Sequence, residues 1–86
     1  MTFVRTDSFR RDFPVLPRDV QEKTAKALRL FAENPRHPSL RIKKMLPKAR
    51  GIFEARVTRS YRMTFQVEHD TIILRRIGTH EVLRTP

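Results

Sequence analysis

Cysteine is absent, which excludes a disulfide framework and any thiolate metal site. The three histidines, His37, His69 and His80, are scattered without metal-ligand spacing. No apolar run approaches the length of a membrane span, and the N-terminus lacks the basic, apolar and small-residue order of a secretory signal. We therefore expect a soluble, cytoplasmic protein. No repeat, low-complexity stretch or linker interrupts the chain, and 86 residues leave room for one domain, 1–86, with one modest core. Acid is scarce. Nine Asp and Glu face 19 Lys and Arg, a net charge of +10. Fourteen of the 19 are arginine, whose planar fork grips phosphate through two parallel hydrogen bonds. Such a balance points to nucleic acid or to an acidic protein partner.

The pattern along the chain predicts a short strand over 2–6, then a short helix capped by Asp7 or Ser8 with Phe9 and Phe13 as its apolar residues. Pro14 and Pro17 end that helix. Residues 18–33 read as the main helix, because Val20, Ala27, Leu28 and Phe31 recur at helical spacing with Thr24 filling the gap. Lys23, Lys26 and Arg29 fall on its solvated face. After Asn34-Pro35 and a two-proline loop, 40–46 reads as a strand, 47–51 as a turn, and the rest as a run of hairpins. The expected class is α+β: an N-terminal strand and two helices packed on one face of a twisted, mostly antiparallel sheet of four to five strands, with the other face partly open.

Alternation places Phe53, Ala55 and Val57 on one sheet face and Ile52, Glu54 and Arg56 on the other. The next strand sorts Tyr61, Met63, Phe65 and Val67 from Arg62, Thr64 and Gln66. A three-residue loop Thr58-Arg59-Ser60 sets Arg56 opposite Arg62 and Glu54 opposite Thr64. Like charges so placed repel by up to about 1 kcal/mol, which suits an anion between them. The plain alternative is that both extend into solvent or that Glu54 neutralises them. In the last strand the adjacent Arg75 and Arg76 conflict with simple alternation. A two-residue turn at His69-Asp70 puts Ile73, Arg75 and Ile77 on the Arg62 face. A three-residue turn, or a bulge further on, puts Ile72, Leu74, Arg76 and His80 there. We prefer the second, since it brings His80 to the arginines.

His80 is then a candidate for proton transfer, because its unperturbed pKa lies near neutrality, or simply a polar residue past a strand end. Glu54 is a candidate general base or a counter-ion. Tyr61 could stack on a splayed base or belong to the core. Lys43 and Lys44 read as phosphate contacts or as lysines guarding an edge strand.

Taken in order, Leu16-Pro17-Arg18-Asp19-Val20-Gln21, Asn34-Pro35-Arg36-His37-Pro38-Ser39-Leu40, Phe53-Glu54-Ala55-Arg56-Val57, Tyr61-Arg62-Met63-Thr64-Phe65 and Ile77-Gly78-Thr79-His80-Glu81 resemble the RelE/ParE superfamily of type II toxins. Gly78-Thr79-His80 is most similar to the YafQ-like branch of its RelE-type ribonucleases. The resemblance implies a microbial RNase-like fold, no cofactor or metal, and a cognate antitoxin as partner. It implies cleavage of mRNA in the ribosomal A site by attack of the 2′-hydroxyl on the phosphodiester, leaving a 2′,3′-cyclic phosphate. Arg62 matches the arginine that stabilises the transition state, His80 the proton-transfer residue, and Arg56 a supporting basic position. Lys43, Lys44, Arg76 and Tyr61 would contact RNA. The chain departs from many members in having no aromatic residue after His80 and no lysine on the Phe53 strand. A ParE-type gyrase inhibitor that cuts nothing, and a non-toxic member that binds only its antitoxin, are the other readings.

Overall fold

In the computed structural model, residues 1–45, 49 and 51–86 are described. Strand β1 (Thr2–Arg5) leads into helix α1 (Asp7–Asp12), and a 3-10 turn at Phe13–Val15 leads into the long helix α2 (Arg18–Glu33). A second 3-10 turn, Pro38–Leu40, precedes β2 (Lys43–Lys44), β3 (Phe53–Arg56), β4 (Tyr61–Glu68) and β5 (Thr71–Thr79), and a last 3-10 turn spans His80–Leu83. The strands form one sheet in the order β1-β5-β4-β3-β2. Among the described residues, only β1 and β5 run parallel. The expected class therefore holds, with the sheet mixed at one edge.

Helix α2 forms where the period demands it. Val20, Thr24, Ala27 and Phe31 are its buried stripe. Thr24 is fully buried, and its hydroxyl donates to the Val20 carbonyl at 2.8 Å, so no polar atom is stranded. Phe31 is the hinge of the core. Its ring meets Phe3 edge-on at 5.7 Å and Phe65 at 4.9 Å, while Phe53 stacks on Phe65 at 5.3 Å. Those contacts bind α2 to β1, β3 and β4 at once.

Three local expectations change. The cap of α1 is Thr6, one residue before the expected pair. Its hydroxyl accepts from Phe9 N–H at 3.1 Å and donates to the Arg75 carbonyl at 2.8 Å, tying the helix start to β5. The expected strand over 40–46 shrinks to two residues. Pro38 suits the first turn of a 3-10 helix, Leu40 is drawn into the core, and Arg41 turns the chain with φ 45° and ψ 45°. Leu46 and most of the expected 47–51 turn lie outside the described residues. The last strand follows neither simple register. Glu68 pairs with Thr71, so His69-Asp70 is a two-residue turn, with His69 at φ 55°. Ile72 and Leu74 consequently face the helices, contrary to the preferred assignment, and are buried. A bulge then corrects the strand for its two arginines. Leu74 lies opposite Phe65 and Arg76 opposite Thr64, leaving Arg75 as the extra residue. Both arginines escape the core, and Ile77 returns to it at 1 % exposure.

Candidate functional site

The β3–β4 hairpin sets the first two groups. Val57 and Thr58 N–H donate to the Tyr61 carbonyl at 3.0 and 3.3 Å, closing the loop around Thr58-Arg59-Ser60. That closure fixes Arg56 opposite Arg62 and Glu54 opposite Thr64, the register expected from alternation. Ala55 and Met63, the neighbours of the arginines, have no exposed surface and face α2. The arginines therefore share the opposite face at one end of the sheet, both half-buried.

Their surroundings differ. Arg62 bends back onto its own loop, where Nη1 donates to the carbonyls of Thr58 at 2.6 Å, Tyr61 at 3.0 Å and Arg59 at 3.2 Å. Its Nε and Nη2 make no hydrogen bond among the described residues, so one edge of a positioned guanidinium stays open. Arg56 has no hydrogen-bond or carboxylate partner among the described residues. Partial burial lowers its pKa from the ordinary value, and the charges of Arg41, Arg62 and Arg59 push the same way. Arginine stays protonated regardless, so this strain is relieved by an anion and not by proton loss. Glu54 lies two residues along the same face and makes no ion pair within 4.0 Å among the described residues.

His80 arrives from the adjacent strand. Gly78 stands directly across β4 from Arg62, and His80 follows it by two residues at the start of the last 3-10 turn. Thr79 caps that turn through its hydroxyl, which accepts from Glu81 N–H at 3.5 Å. The turn folds over Gly78. A Cβ there would lie 2.7 Å from Cγ1 of the buried Val82, so only glycine admits this return. His80 itself is exposed.

The β5 arginines, by contrast, are occupied. Arg76 Nε and Nη2 donate to Asp12 at 2.7 and 3.2 Å, and Nη1 donates to the Thr85 hydroxyl and carbonyl at 2.9 and 3.2 Å. The hydrogen bond to Asp12 raises its pKa further. The expectation that Arg76 contacts RNA thus meets a guanidinium with every nitrogen in use. Arg75, marked in the sequence by its conflict with simple alternation but not as a site residue, donates to the Pro86 carbonyl at 3.0 Å and to Gln66 Oε1. Thr64, fully buried, donates to the same carbonyl at 3.1 Å. Residues 80–86 therefore cover part of the face that was expected to be open. Lys43 and Lys44 are exposed on the short edge strand β2, paired with Glu54 and Phe53. Tyr61 is half-buried and lines a cavity of about 280 Å³ with Val15, Pro17, Thr79 and Val82. No cluster of three or more His, Asp or Glu among the described residues is arranged to hold a metal.

Comparison with known proteins bears on the family and the fold. The profile of the ParE-like toxin domain matches residues 18–82, which carry α2, the hairpin and β5. This chain belongs to the ParE-like toxin family. Its fold is similar to YafQ from E. coli, with a TM-score of 0.79 at 15 % identity over 94 % of each chain. It is similar also to the YoeB/ParE toxin of Agrobacterium tumefaciens, with a TM-score of 0.80 at 18 % identity over 93 % of this chain and 99 % of the other. The toxin of the RelB–RelE antitoxin–toxin complex from Methanococcus jannaschii gives 0.74 at 20 % identity over 93 % of each. No curated protein matches the sequence. At these identities the solved structures speak for the fold, and the resemblance to the RelE/ParE superfamily holds at that level.

Proposed function

We propose that this chain is the toxin of a toxin–antitoxin pair and acts as a ribosome-dependent endoribonuclease on mRNA. The observation that supports the reading is that Arg56 faces Arg62 across the hairpin and Gly78, two residues before His80, pairs with Arg62, with the open edge of Arg62 unspent. In the proposed reaction the 2′-hydroxyl loses its proton and attacks the adjacent phosphorus. The bond to the 5′-oxygen breaks, and that oxygen takes a proton as the 2′,3′-cyclic phosphate forms. Arg62 donates to the extra negative charge that the phosphorus oxygens gain. Its loop carbonyls hold it in place beforehand, so little reorganisation is needed at the moment of reaction. His80 moves a proton, with Glu54 as the second candidate on the same face. Arg56 keeps the phosphodiester against Arg62. An antitoxin is the expected protein partner. YafQ and RelE have been solved with their antitoxins, DinJ and RelB.

Primer extension on mRNA from a translating cell-free reaction tests this. Codon-phased cuts that need ribosomes and vanish in Arg62→Ala are expected. Uncut mRNA with translation intact would reject the reading. The family match itself, to a ParE-like domain, keeps a gyrase inhibitor as the second reading. For it the discriminating result is inhibited supercoiling that survives in His80→Gln.

A further inference from the structure

The unpaired charge of this molecule does not stop at the hairpin. Arg56 lines a cavity of about 240 Å³ between α2 and β3, together with Lys23, Lys26 and Ser39, over a floor that includes the buried Leu40. The turn Pro38–Leu40 separates it from a second cavity of about 300 Å³ lined by Arg36, His37 and Arg41. None of these five cations has a carboxylate within 4.0 Å among the described residues. Lys23 and Lys26 are exposed, as expected of a solvated helix face, and border this cavity with Arg56. Arg41 holds its place in a left-handed conformation, φ 45°, that a non-glycine residue adopts at a cost. A row of cations across two adjoining hollows suits charge repeated along a strand better than a single anion. The row also begins at Arg56, which stands opposite Arg62.

We propose that Lys23, Lys26, Arg36 and Arg41 form a track for the phosphodiester backbone of RNA leading away from the Arg56/Arg62 pair, binding it without sequence preference. The inference rests on the ribonuclease reading and adds a second region of contact outside the reacting phosphate. Contacts of this kind position a strand and make its binding salt-dependent.

The test is fluorescence anisotropy with a short single-stranded 2′-O-methyl oligoribonucleotide, which has no free 2′-hydroxyl to attack, over a series of salt concentrations. Each single-strand phosphate contact accounts for about 0.7 in the slope of log affinity on log salt, so Lys23→Ala/Lys26→Ala should flatten the slope by about 1.4. Arg36→Ala should flatten it by about half as much. Arg18→Ala, at the start of the same helix beside Glu22, should keep the wild-type slope. Wild-type affinity and slope in the double variant, with its melting temperature unchanged, would overturn the track. So would unchanged RNA affinity with lost binding of poly-glutamate, which would assign the cavities to an acidic protein partner. Failure of the ribonuclease reading shows differently. It removes the cuts from the translating reaction and leaves the slope difference in place.

Discussion

Among the described residues, strands β3 to β5 carry four arginines, and they divide into two kinds. Arg75 and Arg76 on β5 are bound by Gln66, Asp12 and the carbonyls of Thr85 and Pro86. Arg56 and Arg62 on the hairpin face each other, one without a partner and one held by a single nitrogen. The first pair fastens α1 and the 80–86 segment to the sheet. The second pair is positioned but unspent. Residue type is the same in both, so what separates the two pairs is how many of their donors the protein itself consumes.

That division can be broken by substitution. The largest effect expected is on activity: Arg62→Ala should lower cleavage about 10²–10³-fold, equivalent to about 2.7–4 kcal/mol of barrier, measured as the rate of codon-phased cutting. Asp12→Ala comes next, and its effect is on the fold. Asp12 accepts from Arg76 and also from Ile77 N–H at 3.1 Å, so its loss strands a half-buried guanidinium and a β5 donor that lies beyond the end of the β1 pairing. Urea denaturation should show a loss of about 2–3 kcal/mol. Gly78→Ala tests the return of the chain. The new methyl group meets the stiff Val82 at 2.7 Å, and we expect about 1–3 kcal/mol of destabilisation together with slower cleavage, because the turn that starts at His80 must shift. Arg75→Ala should cost only about 1 kcal/mol, with cleavage retained in a melt-corrected assay. Arg56→Ala sits at the bottom of the series for stability. It gives up no partner among the described residues and removes repulsion from Arg62, so its urea midpoint should not fall below that of wild type.

Some of this was legible in the sequence. The Arg56–Arg62 register follows from two alternating runs and a loop of three residues, all within a dozen positions, and local pattern decides such a pairing. Helix α2 was legible for the same reason, since Val20, Thr24, Ala27 and Phe31 carry its period without help from the rest of the chain. The neighbouring Arg75 and Arg76 signalled a bulge, but not where their side chains end. Arg76 meets Asp12 across 64 positions of sequence, and no periodicity reports a contact that long. The parallel pairing of β1 with β5 and the fold of Val82 over Gly78 were hidden likewise. The cavity that Lys23 and Lys26 share with Arg56 depends on where Pro38–Leu40 packs, which a helical wheel does not contain.

The account turns on the contrast between spent and unspent arginines, and one side-by-side measurement addresses it: ribosome-dependent cleavage of a translated mRNA by Arg62→Ala and by Arg75→Ala, at a temperature where both are folded. We predict that Arg75→Ala cuts at the wild-type codons and that cutting by Arg62→Ala falls about 10²–10³-fold. Cleavage that persists in Arg62→Ala and disappears in Arg75→Ala would contradict the account.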